Sequence, residues 1–542
     1  MRIWSPRVAV AAVSTLACCA AVTSCSSSSS EADGVIRDYA KAISQQNIER
    51  ASALTTAPGQ ASEALTATMD GMHAMNVDAT VKHTVGYSDG TAGFTLKTVY
   101  HWDNGRQFAT ETQGSARRLS SGWRVLWEPS VIYSGLRPGG RIHEMRTDAR
   151  PAPRVLARTG KPFMVMQSVN DVVVDPGQSA DLGATVRAVA RAIAPMAPQV
   201  TSEVILAKIA ANPGQPVVAV SLRDPDMRVL TTDPGKIRGV TVRKHDKLVM
   251  VDRQLDSPLE DGLSNYWQAV RDVTAGWQIV VDQPGQAPER LDSAQGPAAP
   301  SIGTSIDPRV QRAAGLAAIE VAQPTTVLTL DARTGGILGM GRNAAATDRG
   351  ISIDGDYITG STLSAVFDAV TAYSKASNTP AEELLDRLGL GVVFTVPGAS
   401  TPERTGASVN DVDFRPGEIR ASLLNVGALG VALSRASSGA KTSVAPFVIK
   451  GQPTGIHDGK LGTVDDGLSA PILRAMVRTV RAGDASDLTD KKGLRALVGT
   501  NGPDGPGWFL GLVDNKVIVI YTEGPKSGTA ALQAAQKYLK VR

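Results

Sequence analysis

The chain has 542 residues, more than one hydrophobic core organises, so about two to four domains are expected. Lysine and arginine total 56 against 52 acidic residues with no long basic run, which leaves no electrostatic footprint for nucleic acid. The only cysteines, Cys18, Cys19 and Cys25, lie at the very start, so a disulfide or thiolate metal site in the body of the protein is excluded. The six histidines are scattered without ligand-like spacing, and no metal or other cofactor is expected.

The first residues read as a targeting segment. Arg2 and Arg7 are followed by an apolar stretch, Val8 to Val22, that is short for a membrane span. It ends in Val22-Thr23-Ser24-Cys25, and five serines follow at once. A branched apolar residue, two small residues and Cys resemble the bacterial lipobox. That resemblance implies a signal peptide over 1–24, cut before Cys25, with the Cys25 thiol diacylated and 25–30 a lipidated Cys with its serine tether. The protein would then sit on the extracytoplasmic face of the cell membrane, held by lipid chains (palmitate among them) rather than by a spanning helix.

Residues 31–137 read as a small α+β domain. Val35, Ile36, Tyr39, Ile43 and Ile48 fall near helical spacing after the acidic start Glu31-Ala32-Asp33. Ala92 to Tyr100 and Gly122 to Trp127 carry apolar residues at every second position, as half-buried strands require. The stretch Trp123 to Leu136 resembles the end of the nuclear-transport-factor-like N-terminal domain of methicillin-resistance-type penicillin-binding proteins. There the domain is a non-catalytic spacer, and both Trp123 and Trp127 are expected in its core. Residues 138–295 are less legible. Ala157 to Phe163 is similar to the segment that opens the family's pedestal, and 138–295 is read as a pedestal/dimerisation-like region with its linker. Asp181–Ala194 and Pro258–Val273 are expected helices, and Gln283–Pro300 reads as a linker.

From Ile302 on, the chain resembles the transpeptidase domain of class B penicillin-binding proteins, the peptidoglycan D,D-transpeptidase family. Gly303 to Ala314 is similar to its opening strand and helix, and Thr326 to Leu338 to its first hairpin. The resemblance implies a multidomain α+β and α/β chain whose residues 296–542 form a β-lactamase/penicillin-binding fold, with a central antiparallel sheet and flanking helices. In Tyr357-Ile358-Thr359-Gly360-Ser361-Thr362-Leu363-Ser364, Ser361 stands at the family's acylated nucleophile. A serine hydroxyl needs a neighbouring base to attack. The family places a lysine three residues on, where one helical turn brings its amine to the hydroxyl, and here that position is Ser364. The next lysine, Lys375, would lie about 21 Å away along a regular helix.

The other two motifs are also altered. The helix expected over Pro380–Leu388 follows so soon that the family's Ser-x-Asn segment is missing, and Ser408-Val409-Asn410 is read as a chance match in a loop. Leu497-Val498-Gly499-Thr500 aligns with Lys-Thr-Gly-Thr, so Leu497 replaces the cation that helps hold a substrate carboxylate. A Gly-Gln-Gly turn expected before Val426–Ala436 is replaced by Ser422-Leu423-Leu424-Asn425. The expectation is therefore a pseudoenzyme, with Ser361 a vestigial nucleophile. It would be a lipoprotein binding or scaffolding module whose partners are peptidoglycan or cell-wall synthesis and division proteins. The alternatives are an active D,D-transpeptidase or carboxypeptidase drawing a cation from Lys491, Lys492 or Arg495, and a slow β-lactam binder acylated at Ser361 without turnover.

Overall fold

A computed structural model describes residues 26–103, 105–400 and 417–541. They form two compact units. One holds the chain up to Pro151 together with Thr274–Ala298, and the other holds Ala152–Val273 with Ala299–Arg542. The middle region, taken as one piece from the sequence, is thus shared between the two. Among the described residues no helix is long and apolar enough to cross a membrane.

The first unit opens with the helix Ser26–Ser44. Ile36, Tyr39, Ala40 and Ile43 recur at helical spacing and are all buried, so one stripe faces the core. Ile48 does not continue this helix. Gln46 takes a positive φ of 52°, and a separate short helix, Ile48–Ala53, starts from Asn47, whose side chain accepts the Arg50 N–H at 2.9 Å. After the helix Pro58–Met72 the chain makes a four-stranded antiparallel meander, Asn76–Gly86, Thr91–His101, Gln107–Leu119 and Gly122–Val125. Thr91–His101 alternates buried and half-buried residues along its whole length, as its sequence predicts. Trp123 and Trp127 are buried in the core of this unit.

The same unit closes with a segment from much later in the chain. Gly276–Asp282 pairs antiparallel with both Arg141–Thr147 and Glu289–Ala294. The Arg106 guanidinium stacks on Trp102 at 4.0 Å and Trp277 at 4.2 Å and pairs with Glu144 at 2.7 Å. The expected linker is therefore partly a strand. Glu289–Ala294 is an exposed edge strand with almost no apolar residues, so it has no alternation for a sequence reading to find.

The second unit begins with Pro162–Val174, a long strand paired antiparallel with Val240–Met250 on one side and with Val155–Leu156 and Val217–Arg223 on the other. The expected helices are present as Leu182–Ile193, capped by Asp181, and Glu260–Val273. The C-terminal part holds a five-stranded antiparallel sheet in the order Ile337–Arg342, Thr325–Asp331, Lys516–Thr522, Gly507–Val513, Arg495–Thr500. Side chains alternate across it. Leu497, Trp508, Leu510, Val517 and Val519 point to one face, where the helix Leu423–Ser437 packs. Ala496, Phe509, Ile518 and Ile520 point to the other, covered by the helices Pro308–Ala318 and Ser527–Lys540.

The helix Leu423–Ser437 is almost wholly buried and lies tight on the sheet. A Cβ at Gly430 would come within 2.4 Å of Val517 Cγ1, so no larger residue fits there without moving the helix. It begins three residues earlier than Val426. Ser422 is its N-cap, with a reciprocal bond to Asn425, so the letters that replace the expected glycine turn form a capping box.

Candidate functional site

Ser361 sits where a short strand meets a helix. Tyr357–Gly360 pairs with Gly417–Ala421, a tight turn covers Ser361–Leu363, and the helix Ser364–Ser377 follows. The turn depends on two glycines. Gly360 has φ 53° and ψ −137°, a conformation that residues with a Cβ avoid, and a Cβ there would lie 2.4 Å from the Thr500 carbonyl oxygen. Across from it, a Cβ on Gly499 would lie 2.4 Å from Thr362 N and 2.7 Å from Ser361 Oγ. Together they let the serine turn close directly onto the edge strand Arg495–Thr500.

That closure consumes the hydroxyl. Ser361 Oγ donates to the Thr500 carbonyl at 3.2 Å and accepts the Thr500 N–H at 3.2 Å. Both bonds therefore go to the main chain of one residue. A peptide carbonyl can accept a hydrogen bond but cannot take the proton away as a base, so this arrangement holds Ser361 without activating it. Ser364, one turn on, is exposed and has no basic nitrogen. The neighbouring Thr362 hydroxyl is buried with no partner among the described residues.

Leu497 shares its strand face with Gly499 but is buried at 4 % exposure, in the core that also contains Leu363, Val366 and Leu424. It offers an anion nothing. Lys375 is at the far end of its helix. Lys491 pairs with its neighbour Asp490 at 3.0 Å. Arg495 begins the edge strand and Thr500 ends it, about 17 Å apart along an extended chain. The helix Ser364–Ser377 ends at Asn378 in a left-handed turn and passes directly into Ala381–Arg387, with no helix between them. Ser408-Val409-Asn410 lies outside the described residues.

Behind the turn stands an aromatic support. Trp508, the cross-strand partner of Gly499, is fully buried, and its indole N–H donates to the Ile358 carbonyl at 2.9 Å. Its ring lies 4.7 Å from Tyr521, which in turn stacks on Tyr357 at 4.4 Å. Burial, with the bond to Glu523, pushes the Tyr521 hydroxyl far above its usual range and keeps it neutral. Asn425 reaches further, donating to the Gly389 carbonyl at 2.8 Å and the Val392 carbonyl at 2.7 Å. Among the described residues no group of His, Cys, Asp or Glu is placed to hold a metal ion.

The family described as the NTF2-like N-terminal transpeptidase domain matches residues 31–140. No curated protein matches the chain. The family match covers the N-terminal part only, and it supports a chain of the class B penicillin-binding-protein type with a nuclear-transport-factor-like domain at its start.

Proposed function

We propose that this chain is a lipid-anchored protein of the cell envelope that uses a transpeptidase-like frame to bind or scaffold, with its acyl-transfer chemistry lost. The observation that carries this reading is the pair of bonds from Ser361 Oγ to the Thr500 main chain, made with Ser364 and the buried Leu497 where a base and a cation belong. Attack on an acyl carbonyl needs a group that takes the serine proton and donors that face the developing oxyanion. Here the hydroxyl is already engaged, and it occupies the Thr500 N–H itself. What remains is a folded surface that can hold a partner, and the proposed partners are nascent peptidoglycan or proteins of wall synthesis and division.

Two outcomes are expected. In the producing cell, Ser361→Ala should leave peptide cross-linking of the wall and growth as they are with the unmodified chain, whatever the effect of deleting the whole gene. A loss of cross-links with Ser361→Ala equal to that of the deletion would instead make Ser361 a working nucleophile. The anchor is tested separately. The mature protein should begin at Cys25 carrying acyl groups, and Cys25→Ala should leave an uncut, unlipidated precursor. Mass spectrometry of the native N-terminus that finds an unmodified Cys25 would show that no lipid is attached there.

A further inference from the structure

The second unit contains a cavity of about 380 Å³, set among the strands Val217–Arg223 and Val240–Met250 and the segment from Arg253 to Glu260. It shares no residue with the Ser361 region, and its size is within the range of small-ligand sites. Six charged residues line it: Arg223, Lys247, Arg253, Asp226, Asp256 and Glu260. Two of them cancel. Asp226 is 7 % exposed, accepts the Arg223 backbone N–H at 2.9 Å and forms an ion pair with Arg253.

The four that remain are two cations and two anions, and they stand open. Arg223 uses one nitrogen, donating to the Met250 carbonyl at 2.7 Å, which fixes the guanidinium and leaves its other N–H groups available. The Lys247 side chain forms no ion pair or hydrogen bond among the described residues. Glu260 begins the helix Glu260–Val273 and is half-buried. Its carboxyl is pushed above the usual range, first by loss of water, against the pull of Lys247 and Arg223 and with the push of Asp256 and Asp261. It too makes no side-chain bond among the described residues. No ion pair joins any two of the four among the described residues, and their signs balance.

We propose that this cavity binds a small zwitterion, a free amino acid or the end of a short peptide, with its carboxylate on Arg223 and Lys247 and its ammonium on Glu260 and Asp256. A simple anion would meet two carboxylates and a simple cation would meet an arginine and a lysine. A molecule with both charges satisfies all four groups, through charge-assisted hydrogen bonds. Val220 and Val249 also line the cavity.

Calorimetric titration of the full chain tests this with triglycine, N-acetyl-triglycine and triglycine amide as probes. Triglycine should bind, and each blocked form should bind at least about tenfold more weakly, the loss of one charge-assisted bond. Lys247→Met should weaken triglycine to the level of the amide and leave the amide unchanged. Glu260→Gln should do the same for the acetylated form. Both variants are expected to fold, because neither side chain holds a structural bond. Ser361→Ala should leave every titration as it is, which separates this site from the reading of Ser361. The proposal is overturned if triglycine at about 10 mM gives no binding, if the three probes bind alike, or if neither variant changes their order.

Discussion

Trp508→Ala should destabilise the C-terminal sheet by about 3–5 kcal/mol, the usual consequence of emptying a fully buried tryptophan site. Two losses combine at this position. A cavity would open beside Tyr357 and Tyr521, and the Ile358 carbonyl would lose its indole donor. The short strand Tyr357–Gly360 would be released first, and with it the turn that carries Ser361. Hydrogen exchange of the Tyr357–Leu363 amides reads this locally, which matters because a chain of two units need not unfold in one step. Exchange there should speed up at least about 100-fold. Trp508→Phe should fall between the two, since it keeps most of the buried ring but not the N–H. Unchanged protection in Trp508→Ala would mean that the turn is held by Gly360, Gly499 and Thr500 alone.

Ser364→Lys should not restore reaction of Ser361 with a fluorescent penicillin. Supplying a general base is worth roughly 10²–10⁴ in rate where the rest of a site is in place. In this protein the rest is not arranged for it. Ser361 Oγ is tied to Thr500, no helix lies between Ser377 and Ala381, and Leu497 is buried in the core, where it offers a carboxylate nothing. Adding Leu497→Lys should make matters worse, because Leu497 is 4 % exposed and a charge placed there is buried without a partner. The double variant should therefore label no faster than the single one and should be less stable to urea. Labelling of Ser364→Lys within minutes would show that only the base was missing.

The local structure was legible where a periodic apolar pattern meets a plain turn signal. Ile36, Tyr39 and Ile43 announce the first helix, Thr91–His101 its sheet, and Asp181 the start of Leu182–Ile193. The places where the sequence misled have physical causes. The first helix reaches back into the serine run at Ser26, where no apolar residue marks it, and Ile48 keeps helical spacing across a break made by the backbone of Gln46. The return of Gly276–Ala294 to the first unit rests on pairing with Arg141–Thr147, far away in sequence, and its outer strand has almost no apolar residues. At the candidate site, Ser361, Ser364 and Leu497 were legible as letters in a pattern. The contact that gives them meaning was not. Ser361 and Thr500 are 139 residues apart, and Gly360 and Gly499 explain each other only once the turn lies on the strand.

Whether Ser361 is held or activated is read from its acylation by a β-lactam. The unmodified full chain is incubated with a fluorescent penicillin and the label on Ser361 is followed over time. No stoichiometric labelling is expected within minutes, and Ser361→Ala should show the same weak background. Stoichiometric labelling within minutes, abolished by Ser361→Ala, would mean that a working base stands beside Ser361.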